Sequence, residues 1–485
     1  MQGGKGRLAW GILLAVLVLA FYAIRLTGPS NLEADAQDRN VGYVMDVVWQ
    51  GHWLVQQDIR GRVMSKPPLH TWAASAFAEI GGINRLTLTL PSMLAVLAMA
   101  LLVLEVGRRR FGAWAGGLAA LAVVLAPMMS KHIALVRTDA LFALVIALGA
   151  LAAQRAWERG GGWALAWGMA GLATLIKGPL GLVLVAMGLL AWFWERRSDS
   201  STLPAGSHWA GIGLFLLLTL GWLLPALLSA GKPLVDKLFF EELVGQATGV
   251  GKGGFPGRNL PKPTLYFILR FLPFSLFVLY GLWRILRHPA AEAAARRFER
   301  FLFCWIVGGI VLFSLASHHR GDLLLPLWPA AALLAGREMA RLSGRIGRKW
   351  LGAALAGLTF FFLAAAWWSY HPRPGKEGEE IRYTAAAEQA ARALAASGLD
   401  LDRLQHLDTP VTLQLGLGTA RVWIGEETAL RLASGPGPLL LAVESPEEFP
   451  RLFGASGPAL REVFRWPAEG KAAVRVFANA AVQKP

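Results

Sequence analysis

Apolar runs of about 17–25 residues, the length that crosses the hydrocarbon core of a bilayer, recur from the start of the sequence to residue 370. They fall near 8–26, 88–107, 112–128, 139–154, 161–176, 179–194, 208–228, 271–286, 301–317, 323–336 and 351–369. Only 16% of the residues are charged and 55% are hydrophobic, whereas a soluble domain is about a quarter charged. The pattern predicts a mainly α, polytopic membrane protein with about eleven transmembrane helices. The first run follows Lys5 and Arg7, is long for a signal peptide and lacks a small-residue cleavage site, so it is read as an uncleaved anchor. The single cysteine, Cys304, lies inside an apolar run, which excludes disulfides, cysteine redox chemistry and a cysteine metal site.

The net charge of +16 has its own pattern. No soluble segment carries a basic stripe interleaved with aromatics, so nucleic acid is excluded as a partner. The cations flank the apolar runs instead. With the N-terminus inside, alternation gathers Arg108, Arg109 and Arg110, then Arg155 and Arg159, then Arg196 and Arg197 into short inner connections. Arg284, Arg287, Arg296, Arg297 and Arg300 follow, and then Arg337, Arg341, Arg345, Arg348 and Lys349. This is the positive-inside bias of membrane proteins. It divides the chain into a membrane domain over 1–370 and an extracytoplasmic domain over 371–485. The two longest loops, 27–87 and 229–270, also fall outside, and the acids Glu33, Asp35, Asp38 and Asp46 fall with the first of them.

The segment after Tyr370 reads as a small α/β or α+β domain. GEEIRYTAAAEQAARALAASG predicts a helix ending at Gly398, VTLQLGLG and PLLLAVE predict strands, and REVFRWPAEGKAAVRVF predicts a closing hairpin. Ser445, Pro446 and Glu448 have the spacing of a capping box with proline in the first helical position. No catalytic constellation stands out in this domain.

Ionisable groups beside a bilayer cost about 2.5–3.5 kcal/mol each at its centre, so those retained are functional candidates. Four groups converge on the outer side. Asp35 and Asp38, followed by Arg39, lie on one side of a helical turn; the plain alternative is Asp35 as an N-cap with Asp38 in the first turn. In Ser65-Lys66-Pro67-Pro68, proline holds Lys66 in an extended backbone, which suits an anion site. Lys131-His132 and Arg137-Thr138-Asp139 enter a span from outside, where Asp139 is either a helix cap or a partner to distant cations. The fourth is Ser317-His318-His319-Arg320-Gly321-Asp322, with Lys177 in another outer turn. The paired histidines have no third metal ligand at a known spacing. Cations suit a phosphate, and a carboxylate suits removal of a hydroxyl proton. There is neither a Walker A motif nor a dinucleotide fingerprint.

Over roughly residues 30–340 the sequence resembles the GT-C glycosyltransferases of the protein mannosyltransferase and aminoarabinose transferase (ArnT-like) group. The likeness rests on the acidic cluster after the first span and QGHWLVQQDIRGRVMSKPPLHTW. It continues through INRLTLTLPSMLAVLAMALLVLEVGRRRFG, LVRTDALFALVIALGAL, LIKGPLGLVL and HHRGDLLLPLWPA, in that order. The resemblance implies a GT-C-like fold in a bacterial inner membrane. It implies transfer, with inversion, of a sugar from a polyprenyl-phosphate donor to a lipid (lipid A-like), glycan or protein acceptor on the extracytoplasmic face. It also implies a carboxylate base at Asp35 or Asp38, a second acid at Asp139, and a donor-phosphate lysine at Lys66. Arg137, Lys177, His318, His319 and Arg320 are the helpers, and Arg39 and Asp322 accompany them. The sequence departs from the group's Asp-Glu-x-Arg-Tyr at the first acid, has Ser65 where many members have glutamate, and has Leu323 where tyrosine is common. No cofactor is required by these residues, and a divalent metal ion is left open. Rival readings are a flippase for a lipid-linked sugar, a protein O-mannosyltransferase within the same group, and a non-catalytic scaffold.

Overall fold

The computed structural model describes residues 2–482 except 35, 198–205, 246–259, 318, 374 and 469–472. Among them, six helices are long and apolar enough to cross a membrane: Gly6–Thr27, Arg85–Phe111, Asp139–Arg159, Trp209–Ala230, Ala293–Leu315 and Arg348–Tyr370. The chain is a multi-pass membrane protein, mainly helical, with one small sheet.

These six correspond to six of the eleven expected spans. The other five are shorter or broken. Ala113–Leu125 and Trp163–Lys177 are 13 and 15 residues long. The run over 179–194 divides into Leu180–Ala186, a 3-10 turn Met187–Leu190 and Ala191–Glu195. The run over 271–286 begins only at Phe274, because the preceding helix Pro261–Arg270 stops before Pro273, whose nitrogen cannot donate. The run over 323–336 starts as a 3-10 turn, Gly321–Leu327, and continues as the helix Trp328–Ile346. Apolar composition finds such segments, but prolines and local turns decide where each helix ends.

The chain divides into two units. The first comprises Met1–Thr27, Ser65–His70 and Thr89–Tyr370. Small residues let its helices approach backbone to backbone. A Cβ added at Gly116 would lie 2.4 Å from the Arg108 nitrogen, and one at Gly336 would lie 2.5 Å from the Ala119 nitrogen. These contacts close Arg85–Phe111, Ala113–Leu125 and Trp328–Ile346 on one another, as small-residue interfaces do in membranes. An aromatic cluster fills the centre, with Phe271 meeting Trp328 edge-on at 5.2 Å and Phe301 meeting Trp305 at 5.7 Å. Many of the arginines expected on inner connections are paired: Arg110 with Glu158 at 2.5 Å, Arg300 with Glu195 at 2.8 Å, and Arg337 with Glu299 and Glu338.

The second unit comprises Gly28–Met64, Thr71–Leu88 and His371–Pro485. Its sheet has the order β1-β2-β4-β3, with β1 at Leu404–His406, β2 at Leu440–Val443, β3 at Arg461–Trp466 and β4 at Val474–Ala478. β1 runs parallel to β2, whereas β4 runs antiparallel to both β2 and β3. Every residue of β2 is buried because both faces are covered. Leu440 and Ala442 join Leu394 and Val476 on one side; Leu441 and Val443 join Ala429 and Leu452 on the other. The helix expected over the GEEIRYT segment runs Glu379–Ala395, and REVFRW and VRVFA pair as the expected hairpin.

Two expectations fail here. VTLQLGLG is not a strand but the helix Val411–Leu417, ended by Gly418 at φ 69°. Its alternating leucines mimic a strand, but the Glu33 carboxylate accepts from the Thr412 backbone nitrogen at 2.8 Å and hydroxyl at 2.7 Å, capping a helical turn. Ser445 makes no side-chain cap, and Pro446–Glu448 is a 3-10 turn. Asp408 instead accepts from the backbone nitrogens of Glu444 at 2.6 Å and Ser445 at 3.2 Å.

Candidate functional site

Three local features of the first unit bring charge together. Ser92, buried in Arg85–Phe111, donates its hydroxyl to the Leu135 carbonyl at 2.6 Å and so anchors the connection that presents Arg137. The next helix opens at Asp139, with Thr138 at its N-cap and no side-chain cap bond, so Asp139 is not the cap. Helix Trp163–Lys177 ends on Lys177 because Gly178 turns the chain at φ 73°. The Lys177 ammonium reaches Asp139 Oδ1 at 2.5 Å, and Arg137 Nε reaches Asp139 Oδ2 at 2.9 Å.

Arg137 also extends to a second acid. Its Nη2 lies 3.0 Å from Asp322 Oδ2, and Arg320 Nη2 lies 2.8 Å from the same oxygen. Asp322 sits in the 3-10 turn that begins at Gly321, where a Cβ would strike the Arg270 guanidinium at 2.7 Å. Burial would raise the Asp322 carboxyl, but Arg137 and Arg320 hold it below its usual value. His132 is buried, and its Nδ1 lies 2.9 Å from the Met128 carbonyl, which can only accept. Nδ1 therefore carries the proton, and burial keeps the ring neutral by lowering its pKa. Its Nε2 faces Asp139 at 3.8 Å and Asp322 at 3.9 Å.

Lys66 belongs to this electrostatic field. It is half-buried between Ser65 and Pro67. Burial first, and then the like charges of Lys177 and Arg137, push its ammonium down to about 8 against the opposing pull of Asp139 and Glu242. Four cations, Lys66, Arg137, Lys177 and Arg320, thus face three carboxylates, Asp139, Asp322 and Glu242. The imbalance leaves positive charge for an added anion. His70, one turn beyond Lys66, is fully buried and pushed by burial down to about 4, so it stays neutral.

The structure brings Arg137, Asp139, Lys177, Arg320 and Asp322 into contact and sets Lys66 in their field. His319 turns away, with Nε2 3.3 Å from the Ser314 carbonyl. His318 lies outside the described residues. His132 and His70 were not singled out for a role by the sequence; their only signal was position, beside Lys131 and in KPPLH. Among the described residues, no cluster of three His, Cys, Asp or Glu side chains could hold a metal ion.

The second unit holds the other candidates. Asp35 lies outside the described residues. The helix Gln37–Gln50 follows it, with Ala36 at the N-cap position in a left-handed conformation, φ 59°. It is the one non-glycine residue with positive φ among those described, a conformation that costs about 1–2 kcal/mol. Asp38 lies in the first turn, 3.6 Å from Arg60 Nη2. Arg39 lines a nearby cleft. Asp46 has a structural role, accepting from the Gln57 nitrogen at 2.9 Å and meeting His52 Nδ1 at 2.9 Å.

A family model described as dolichyl-phosphate-mannose-protein mannosyltransferase matches residues 65–224. The chain is 28% identical over 357 residues to an undecaprenyl phosphate-alpha-4-amino-4-deoxy-L-arabinose arabinosyl transferase 1 of Sodalis glossinidius, covering 70% of this chain and 61% of that protein. It is 23% identical over 363 residues to the corresponding transferase of Erwinia tasmaniensis, covering 72% of this chain and 64% of that protein. The chain thus spans less than two thirds of the length of these two relatives. The fold matches the crystal structure of ArnT from Cupriavidus metallidurans bound to undecaprenyl phosphate, with a TM-score of 0.76 and 18% identity over 98% of both chains.

Proposed function

We propose that this chain, an ArnT-like protein of the GT-C superfamily, transfers a sugar from a polyprenyl-phosphate-linked donor to a lipid, glycan or protein acceptor outside the cytoplasm. The observation that carries the reading is the excess of cations around Asp139 and Asp322, supplied by Lys66, Arg137, Lys177 and Arg320. The relatives named above act on an undecaprenyl phosphate-linked sugar, which fits an anion grip of this kind.

In the proposed reaction the acceptor hydroxyl oxygen attacks the anomeric carbon. The bond from that carbon to the phosphate oxygen breaks, its electron pair leaves with the carrier phosphate, and the anomeric configuration inverts. Asp35 or Asp38 takes the hydroxyl proton. Lys66 and Arg137 stabilise the charge that grows on the leaving phosphate, with Lys177 and Arg320 supporting them. Asp139 orients Lys177 and Arg137, which would otherwise repel each other. Asp322 does the same for Arg137 and Arg320.

The test is transfer in proteoliposomes from a radiolabelled polyprenyl-phosphate sugar to a panel of lipid, glycan and peptide acceptors. Asp35→Asn and Asp38→Asn are assayed beside wild type, with melting temperature as the folding control. One of the two should lower turnover by about 10²–10⁴-fold, as loss of a general base does. Near-wild-type turnover in both would remove the base from this segment. Movement of unmodified donor across the membrane without transfer would make the chain a flippase.

A further inference from the structure

Within the second unit lies a cleft of about 180 Å³, built entirely from that unit's own residues. It is small beside the roughly 300–1,000 Å³ of drug-sized sites, and suits a single ring. Six carboxylates and three arginines line it. Two of the arginines are already matched, Arg60 by Asp38 at 3.6 Å and Arg62 by Asp58 at 2.7 Å. Arg39 alone remains, among the described lining residues, against Glu33, Glu380, Asp408 and Glu444. Such a wall repels a phosphate.

The wall also donates. The Tyr383 hydroxyl donates to Glu444, and the Trp423 indole nitrogen is buried with no hydrogen-bond partner. The Arg60 guanidinium lies over the Trp423 ring at 5.1 Å. Burial pushes Glu33 up to about 7, so near neutrality it is partly protonated and can donate as well as accept, whereas Asp408, pushed up to about 6, is mostly ionised there and accepts. An ammonium group only donates and a phosphate only accepts, but a hydroxyl does both. Planar guanidinium and carboxyl groups beside an aromatic ring meet adjacent hydroxyls in pairs.

We propose that this cleft binds an uncharged sugar ring through its vicinal hydroxyls, as the anchoring residue of the acceptor and not the sugar that is transferred. The acceptor role rests on the transferase reading; the binding itself does not. In functional terms the cleft would select a neutral glycan end over a phosphorylated one.

The experiment is titration of the full chain in nanodiscs, without donor. The probes are the methyl glycosides of glucose, mannose, galactose and N-acetylglucosamine, with glucosamine and glucose 6-phosphate as charged probes. Saturation-transfer NMR reads binding. At least one methyl glycoside should bind more tightly than either charged probe, and Trp423→Phe and Glu444→Gln should each weaken it about tenfold with melting temperatures unchanged. The proposal is overturned if no methyl glycoside binds, if a charged probe binds more tightly, or if both folded variants bind as wild type does. Intact binding in a protein that transfers no sugar would defeat the transferase reading alone; transfer without this binding would defeat the cleft.

Discussion

Lys66 offers the sharpest test of the phosphate grip, because its proton is held loosely. An unperturbed lysine titrates near 10.4, whereas burial and the neighbouring cations bring Lys66 to about 8. A lysine that grips phosphate must be protonated, so donor capture falls as pH rises through that value. With a midpoint near 8, about ten elevenths of Lys66 is charged at pH 7 and about one eleventh at pH 9, so kcat/KM should fall roughly tenfold between them. The sugar-phosphate diester has no proton to lose in this range, and His132 and His70, with lowered pKa values, are already neutral. Lys66→Arg keeps its charge to pH 12 or beyond and should abolish that alkaline limb. Lys66→Met should remove a charge-assisted hydrogen bond of about 1.5–3 kcal/mol, a loss of roughly 10–150-fold in affinity for undecaprenyl phosphate. The assay is kcat/KM from pH 6 to 10 in proteoliposomes, with direct undecaprenyl phosphate binding over the same range. An unchanged alkaline limb in active Lys66→Arg, or unchanged carrier affinity in Lys66→Met, would refute the assignment.

Removing Asp139 leaves Arg137 and Lys177 buried without their carboxylate, so Asp139→Ala should destabilise the first unit by about 3–5 kcal/mol, read as a lowered melting temperature in detergent. An unchanged melt would mean that the cluster is not load-balanced by Asp139. Gly116→Val drives a side chain into the Arg108 backbone at a site with no space for even a Cβ and should cost at least about 1–3 kcal/mol; a wild-type melt would show that the helices can part. Glu33 makes a signed pH prediction. Its pKa rises on folding from 4.5 to about 7, so the native state binds the extra proton and is more stable at pH 5 than at pH 7.5, by about 1–3 kcal/mol. Glu33→Gln should flatten that slope in thermal melts, and a slope that persists would place its origin elsewhere.

The six long helices were legible because their length is set by the bilayer, not by tertiary contacts. What the pattern could not give were the breaks. Pro273 and the turn at Gly321–Leu327 interrupt runs that are uniformly apolar, and periodicity has nothing to register there. The helix Val411–Leu417 makes the same point from the other direction. Its leucines alternate as a strand would, and the decisive bond comes from Glu33, 379 residues away in sequence. At the site, residue types were readable but partnerships were not. Arg137, Asp139 and Lys177 each stood out as charge retained beside a bilayer. Only the fold reveals that Asp139 is shared between two cations and that Asp322 repeats the arrangement. His132 stood in one of the charged groups without a role of its own, because a buried neutral histidine has no sequence signature; its tautomer follows from one carbonyl at 2.9 Å. The same reasoning bears on mechanism. A cluster in which four cations outnumber the acids would be unstable as isolated charges, and the shared carboxylates make it tolerable while leaving a positive surplus. In the proposed reaction that surplus is what an incoming phosphate would neutralise, so the strain of assembling the cluster and the proposed affinity for the carrier would be two expressions of one charge arrangement.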